Sequence, residues 1–306
     1  MHNELQNNDI NLPIAKRKGV QPCTNHPIYN FLSYNGLSPV FRAFSTNLTE
    51  IRIPNNIHEA LQTPQWKVVV GEEIRAVENN GTWEITDLPI GKKIRLVKRY
   101  GYSQCQSNHT MFVKHSLEGK MAIIIVYVDD IILTRDHEKE LCKLKNFLAK
   151  EFELKDLGNL KYFLGIEIAR SKKGIVVSQR KYVLDLLKET GMLGCKPANT
   201  PMDQKIKLGR EEGSVLTDKG RYQHLVGKLI YLSHTIPDIG FSVSVVNQFM
   251  HDPTEEHMEA VYRILRYLKM TPGKGLYFKR TTSREIEIFT DADYAGSVTN
   301  RRSTSG

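Results

Sequence analysis

The sequence predicts an α+β protein, in which antiparallel strands and helices occupy different stretches of the chain. Residues 121–134 and 160–179 each contain two apolar runs separated by polar turn residues, a pattern that predicts strand hairpins. After the break at residues 196–201 the pattern changes to helical periodicity, with apolar residues three or four positions apart. Hairpins followed by a run of helices are typical of the α+β class.

The same patterns define the individual elements. Residues 1–50 are rich in Asn, Ser and Pro without periodicity, and are expected to form a linker or disordered arm. Beyond the hairpins, helices are predicted over residues 54–80, 136–150, 179–190, 221–235, 237–250 and 252–269, and strands over 275–280 and 285–290.

Capping residues locate the ends of two helices. Ser178 stands where an N-cap belongs before the helix 179–190, and Gly191 follows at the C′ position. Asp252 is expected to cap the last helix, with Pro253 at its first position. The apolar face of that helix comprises Val261, Ile264, Leu265 and Leu268.

The charge of the chain points to a polyanionic partner. The formal net charge is +9, which favours nucleic acid but also fits a merely soluble basic protein. Between Val261 and Arg280 there are six Lys or Arg and no acid. A solvated helix face usually mixes signs, so this run suggests contacts with phosphates. The candidate nucleic-acid-binding residues are Arg263, Arg266, Lys269 and Lys274.

Several classes of protein are disfavoured. The four cysteines are far apart and the histidines do not cluster, which argues against a disulfide framework or a zinc site. The longest apolar run, residues 121–128, is too short to cross a membrane, and the N-terminus has no apolar signal segment. We therefore expect an intracellular protein, cytoplasmic or nuclear, without a membrane partner.

The central feature is an aspartate pair, Asp129 and Asp130, between two apolar runs. Two adjacent buried carboxylates would resist joint ionisation. A tight turn at this point lifts both carboxylates to the rim of a cleft, where a divalent cation such as Mg²⁺ can neutralise them. The alternative is an ordinary hairpin with Asp-Asp at its turn, and these residues alone leave both interpretations open.

A family resemblance extends this interpretation. Tyr127-Val128-Asp129-Asp130 between apolar strands looks like the palm motif of reverse transcriptases. Over most of residues 30–306 the chain resembles the Pol polyprotein of copia-type LTR retrotransposons. The motifs that carry the likeness are KDLGNLKYFLGIEI, SQRKYVLDLLKETGM, CKPANTPM, LVGKLIYLSHTIPDIGFSV, VYRILRYLKMTPGKGLYF and FTDADYAGSVTNRRSTSG, with LSPVFRAF, EALQTPQWK and NNGTWEITDLP upstream.

The resemblance implies roles for named residues. Asp129 and Asp130 match the catalytic, metal-binding pair, which would take Mg²⁺ or Mn²⁺, and Tyr127 would pack near the incoming nucleotide. Asp291 matches the first metal-binding carboxylate of an RNase H domain. The implied partner is RNA or an RNA/DNA duplex. The implied division is a remnant of the fingers over residues 51–99, a palm remnant over 100–200, a helical thumb or connection over 201–282 and the start of an RNase H-like unit over 283–306.

The chain also departs from the family pattern. The polymerase needs a third carboxylate from an earlier apolar strand, but the only aspartates that precede the pair are Asp9 and Asp87, both in turn-like contexts. By this resemblance a block of the family is missing near residues 93–100, Arg135 replaces the usual Gly, and the sequence stops inside a motif. We therefore expect an internally deleted, C-terminally truncated fragment without polymerase or RNase H activity. The alternatives are a non-catalytic nucleic-acid-binding remnant and a non-functional pseudogene product.

Overall fold

The structure is a computed structural model that divides the chain into two compact units. The first comprises residues 1–51 and 161–306, and the second comprises residues 52–160. The structure describes residues 26–54, 56–79, 97–116, 119–128, 130–135, 138–152, 154–203, 208–209 and 213–281.

The regular structure of these residues consists of helices and antiparallel strands, in agreement with the α+β prediction. The helices are α1 (Pro39–Glu50), α2 (Ile57–Gln62), α3 (Pro64–Asn79), α4 (Glu138–Glu151), α5 (Arg180–Glu189), α6 (Lys219–Ser233), α7 (Gly240–Asn247) and α8 (Glu255–Met270). The strands are β1 (Ser103–Gln104), β2 (Met111–His115), β3 (Met121–Tyr127), β4 (Asp130–Arg135), β5 (Tyr162–Phe163), β6 (Ile166–Ser171), β7 (Gly174–Ser178) and β8 (Gly275–Lys279). No helix among the described residues is both long enough and apolar enough to span a membrane.

The second unit contains a four-stranded antiparallel sheet in the order β1-β2-β3-β4. Ile124 of β3 and Phe112 of β2 are fully buried in its core. Leu144 and Leu148 of α4 belong to the same core, so this helix packs against the sheet. The β3–β4 hairpin therefore belongs to a sheet that packs against helix α4.

The helix predicted over residues 54–80 is interrupted. It forms α2 and α3, separated at Thr63, because Pro64 restricts its predecessor to an extended conformation and then occupies the first position of the next helix. Val69 and Ile74, two of the apolar residues at helical spacing in this segment, lie on the exposed surface.

The first unit contains the sheet β5-β6-β7-β8. The strand predicted from residue 160 to 169 is wrong, because Leu164 and Gly165 have positive φ angles of 49° and 81° and fold β5 back on β6. The polar turn between β6 and β7 is confirmed at Lys172 and Lys173.

Helices α5, α6, α7 and α8 form the main core of the first unit. The predicted inward residues of the last helix are all buried, and the α6 residue Tyr222 donates a hydrogen bond from its hydroxyl to the carbonyl of Val246 at 2.7 Å. The helical part of the segment 237–250 is α7, preceded by a 3-10 turn at Pro237–Ile239.

Both predicted N-caps are wrong. Helix α5 receives its cap from Glu167 on β6, which accepts the Lys181 backbone N–H at 2.7 Å, rather than from Ser178. Helix α8 begins after Thr254, which forms a capping box with His257, so Asp252 and Pro253 precede the helix. Gly191 is confirmed at the end of α5, with a φ of 68°.

Part of the segment expected to be a disordered arm has regular structure. Residues 39–50 form α1, capped by Ser38 and started by Pro39. Ser45 on this helix is buried and accepts a hydrogen bond from the Arg180 guanidinium at 2.7 Å. Tyr34 accepts a second bond from Arg180 at 2.5 Å. The described part of this segment is thus packed within the first unit.

Candidate catalytic hairpin

A tight hairpin joins β3 to β4 at the place where the sequence predicts it. In the β3–β4 register Val126 faces Ile131 and Tyr127 faces Asp130, so positions 128 and 129 connect the strands. Asp130 begins β4 and is exposed. Asp129 falls outside the described residues.

Val128 adopts a strained conformation in the hairpin. Its φ is 45°, in the left-handed region, and 73% of its surface is exposed. Two-residue hairpins favour positive φ at their central positions because this conformation matches the twist of the strands. For a residue other than Gly or Asn the left-handed conformation costs about 1–2 kcal/mol. The connection therefore holds a residue that its geometry disfavours.

Replacing Val128 with Asn is expected to raise the free energy of unfolding by about 1 kcal/mol, because Asn tolerates the left-handed region and the exposed valine loses little packing. Urea denaturation followed by tryptophan fluorescence measures this, since Trp66 and Trp83 both lie within residues 52–160. Val128→Ala is the control, because alanine keeps the penalty for positive φ. Equal stabilisation by both variants would contradict the strain argument.

The described residues do not complete a metal site. Two-metal chemistry needs several fixed carboxylates, since Mg²⁺ prefers oxygen ligands in near-octahedral geometry. Asp130 supplies one carboxylate at the hairpin, and the described residues contain no group of three His, Cys, Asp or Glu able to hold a metal ion. Asp9 and Asp87, the earlier aspartates of the sequence, fall outside the described residues. The residues that are described do not fit a two-metal centre by themselves.

The loop before β2 lies at the same end of the sheet as the hairpin connection, because Met111 pairs with Ile125. Asn108 stiffens this loop by accepting the backbone N–H of Thr110 at 3.0 Å and its hydroxyl at 2.7 Å. The edge of the candidate site thus includes a short polar loop held by its own side chains.

A cavity of about 60 Å³ lies at the opposite end of β3, lined by residues that include Lys114 and Glu140. Lys114 donates hydrogen bonds to Glu140 at 2.6 Å and to the Tyr100 carbonyl at 3.1 Å. Five residues of extended strand, or about 17 Å, separate Ala122 in this cavity from Tyr127. The cavity is therefore too distant to form part of a site at the hairpin.

Lys269, one of the predicted phosphate-binding residues, is fully buried. Its ammonium donates hydrogen bonds to the carbonyls of His26 and Cys195, both at 2.5 Å. The same ammonium lies 5.4 Å from the centre of the Phe31 ring. Lys269 is therefore engaged inside the first unit.

The other three predicted phosphate-binding residues have acidic neighbours. Arg263 lies 3.6 Å from Asp203, and Arg266 lies 3.8 Å from Glu259. Lys274 pairs with Asp238, and this hydrogen bond lowers the pKa of Asp238 and raises the pKa of Lys274. The run without acids is thus partly neutralised by Glu259 of the same helix and by Asp203 and Asp238 from other segments, and its role in binding nucleic acid stays a prediction.

The sequence places Lys279 and Arg280 in the basic run but does not indicate that Lys172 and Lys173 lie beside them. Lys172 and Lys173 in the β6–β7 turn are exposed beside Lys279 and Arg280 at the end of β8. The Lys-Lys pair in a turn between two strands is a local signal for an exposed cationic site. The two cations beside it, Lys279 and Arg280, are about 100 residues away in the sequence, so their proximity is not visible there. Asp291, the predicted RNase H ligand, falls outside the described residues.

Comparison with known proteins identifies the class. A model of the family described as "Reverse transcriptase (RNA-dependent DNA polymerase)" matches residues 90–204, which include the hairpin. The Retrovirus-related Pol polyprotein from transposon RE1 of Arabidopsis thaliana is 42% identical over 207 residues, covering 67% of this chain and 14% of that protein. The corresponding polyprotein from transposon TNT 1-94 of Nicotiana tabacum is 35% identical over 219 residues, covering 69% of this chain and 16% of the polyprotein.

A shorter relative has a length closer to that of this chain. An uncharacterized mitochondrial protein of Arabidopsis thaliana is 40% identical over 183 residues, covering 60% of this chain and 76% of that protein. The chain belongs to the reverse transcriptase family of copia-type retrotransposon Pol polyproteins, of whose RE1 member it spans about one seventh. No solved structure matches the chain.

Proposed function

We propose that the chain is a copia-type reverse transcriptase fragment that binds nucleic acid but does not synthesise DNA by itself. The observation that carries this proposal is the hairpin that pairs Tyr127 with Asp130 within the matched region, together with a sequence in which the only aspartates before the pair are Asp9 and Asp87, both in turn-like contexts. The proposed location is the cytoplasm or nucleus.

The proposed metal-binding residues are Asp129 and Asp130, with Mg²⁺ or Mn²⁺ as the ion. When bound, the ion would neutralise phosphate charge and lower the pKa of an attacking hydroxyl. Tyr127 is exposed over 44% of its surface beside Asp130, which suits a contact with a nucleotide. A carboxylate pair without a third acid cannot fix two ions, so we propose that the missing segment near residues 93–100 removed the activity.

The remaining assignments follow the family pattern. Residues 100–200 are proposed as a palm remnant, residues 201–282 as a thumb or connection, and residues 283–306 as the beginning of an RNase H-like unit with Asp291 as a metal ligand. The helices α6, α7 and α8 fall within the proposed thumb. The proposed partner of the chain is RNA or an RNA/DNA duplex.

A primer-extension assay tests the catalytic part of the proposal. The full chain with a homopolymer template, its primer and Mg²⁺ or Mn²⁺ is expected to incorporate no nucleotide above the no-enzyme background, because the third carboxylate is missing. An intact reverse transcriptase is the positive control. Template-dependent incorporation that Asp129→Asn abolishes would overturn the proposal.

A complementation assay separates a defective polymerase from a chain with no catalytic potential. A fragment carrying the fingers and first half of the palm from a copia-type enzyme is added to the full chain. Activity that depends on both chains and is lost in Asp130→Asn would show that the hairpin remains competent. Continued inactivity favours the non-catalytic, nucleic-acid-binding alternative.

A further inference from the structure

We propose that the turn end of the β6–β7–β8 sheet is a binding site for single-stranded nucleic acid. We call this site the turn-end cluster, and it consists of Lys172, Lys173, Tyr277, Phe278, Lys279 and Arg280. The inference deepens the proposed function and rests on its nucleic-acid binding. It takes Lys279 and Arg280 from the end of the basic run and adds two lysines and two aromatic residues that lie outside the four candidate phosphate contacts.

The sheet register brings the four cations of the cluster together. Lys172 and Lys173 form the β6–β7 turn. Gly174, the first residue of β7, pairs with Lys279 of β8. The backbone N–H of Arg280 then donates to the Lys173 carbonyl at 2.8 Å. Two sequence segments that are far apart thus place their charges at one end of one sheet.

None of these four cations has an acidic partner within the described part of the chain. All four side chains are exposed, and neither the lysines nor Arg280 make an ion pair there. Mutual repulsion of four like charges disfavours such a cluster unless a polyanion or solvent neutralises it. Phosphates of a nucleic-acid backbone have the complementary charge.

Two aromatic rings flank the cations. The rings of Tyr277 and Phe278 are exposed over 53% and 56% of their surfaces. Successive strand residues point to opposite faces, so Tyr277 shares a face with Lys279, and Phe278 shares the other face with Arg280. Each face of the sheet end therefore offers one ring beside one cation.

The Tyr277 ring is held in place. Its hydroxyl donates to the Lys173 carbonyl at 2.9 Å. The ring lies over Gly174, where an added Cβ atom would come within 2.9 Å of it. A fixed, half-exposed ring adjacent to lysines is suited to stack a nucleic-acid base, and base–aromatic stacking contributes about 1–3 kcal/mol for each base.

These features favour a single strand over a duplex. In a duplex the base faces are stacked on each other and only the phosphates reach a flat cationic surface. In a single strand each base has a π-face available, and cations beside aromatic rings bind it with little dependence on sequence. Both ring and cation contribute only in the single-stranded case.

Fluorescence anisotropy with the full chain tests the inference. The probes are a labelled 20-nucleotide single strand of DNA, the same sequence of RNA, and the matching DNA duplex. The charge variant is Lys172→Gln with Lys279→Gln, and its matched control is Lys196→Gln with Lys219→Gln, which removes two exposed lysines elsewhere in the first unit. The aromatic variant is Tyr277→Ser with Phe278→Ser, and Tyr277→Phe is its control.

The charge variant is expected to weaken binding of both single strands about tenfold at low salt and to reduce the slope of log K against log salt by about 1.4, or about 0.7 for each phosphate contact. The aromatic variant is expected to weaken the binding of both single strands at least about fivefold. The affinity of Tyr277→Phe is expected to stay within about twofold of that of the original chain. The duplex is expected to bind more weakly than either strand and to be insensitive to the aromatic variant. Circular dichroism confirms that each variant is folded.

The outcomes separate this inference from the proposed function. If the original chain binds none of the three probes, both the inference and the proposed nucleic-acid binding fail. If it binds but the charge variant and its control weaken binding equally, only the turn-end cluster is overturned. Binding that the aromatic variant leaves unchanged in both single strands would also overturn the cluster as a single-strand site.

Discussion

Replacing Lys269 with Met is expected to lower the free energy of unfolding by about 3 kcal/mol. The ammonium is fully buried and donates to the carbonyls of His26 and Cys195. Methionine fills a similar volume but cannot donate, so two buried carbonyls lose a partner at about 1–3 kcal/mol each. The contact with the Phe31 ring is lost as well. Urea denaturation followed by far-ultraviolet circular dichroism measures the change.

Lys219→Met is the matched control, because Lys219 is exposed at the start of α6 and has no acidic partner among the described residues. Its stability is expected to change by no more than about 0.5 kcal/mol. The sequence-based role of Lys269 makes the opposite prediction. If it contacts phosphate, Lys269→Met would leave stability unchanged and reduce the salt slope of nucleic-acid binding by about 0.7–0.9.

Lys269 illustrates what a charge run does and does not indicate. The run between residues 261 and 280 was recognised from sequence because charge signs are visible there. The neutralising acids are not visible, because Asp203 and Asp238 come from other segments that the fold brings close. Helix α8 also has a buried face, and position 269 falls on it together with Leu265 and Leu268. The periodicity of the sequence places Lys269 directly after the inward residue Leu268, and this was a signal that Lys269 is buried.

The strongly periodic elements were predicted well because their information is local. Helix α8 and the β3–β4 hairpin follow from apolar spacing and from turn residues within a dozen positions. Their ends were less predictable, since capping groups can come from elsewhere. Glu167 caps α5 from a neighbouring strand, and no pattern around Ser178 shows this. His257 replaces the usual Glu or Gln of a capping box, so the true start of α8 was missed.

Helix α1 was missed for a different reason. Ser38 followed by Pro39 is a local signal for a helix start, with the hydroxyl accepting the Phe41 N–H at 3.2 Å. The polar composition of residues 1–50 outweighed that signal. Burial of Ser45 against Arg180 is a long-range contact, and composition gives no information about such contacts.

Some features of the candidate catalytic site could likewise be predicted from the sequence, and others could not. The position of the hairpin could be predicted from the apolar runs on both sides of Val128, Asp129 and Asp130, but its register comes from the structure. The strain at Val128 could not, because the sequence Tyr-Val-Asp-Asp has no Gly or Asn to indicate a positive φ. Metal binding depends on acids that come together only in the folded chain, so sequence gives candidates for ligands and their geometry must come from the fold.

A buried charge network ties α1 to the sheet and to helix α5. Glu167 and Arg180 are 2% and 4% exposed, and the hydroxyl of Ser45 bridges them by donating to Glu167 at 3.2 Å and accepting from Arg180 at 2.7 Å. Glu167 also accepts the Lys181 N–H, and Tyr34 stacks on the guanidinium at 4.5 Å from the ring centre. Removing either charge leaves the other buried without its compensation, which is costly.

A double-mutant cycle is expected to reveal this coupling. Glu167→Gln and Arg180→Met should each lower the free energy of unfolding by about 3 kcal/mol, and the double variant should lose about 1–3 kcal/mol less than their sum. The sum of the two single losses exceeds the loss of the double variant because the second substitution removes a charge that the first has already left unpaired. Urea denaturation of the four chains, followed by circular dichroism, gives the coupling energy.

The matched control uses another acid–base pair on the same helix, Lys181 and Asp185, whose charged groups are 3.0 Å apart with Asp185 largely exposed. The cycle of Lys181→Met and Asp185→Asn is expected to give a coupling of no more than about 0.5 kcal/mol, since the Asp185 carboxylate is exposed and water screens it, although the Lys181 side chain is buried. A coupling this small for Glu167 and Arg180 would contradict the network, and apolar contacts of residues 26–50 would then hold α1 in place. A large coupling would mean that the segment with the weakest sequence signal is fixed by the most buried charges of the first unit, Glu167 and Arg180 among them.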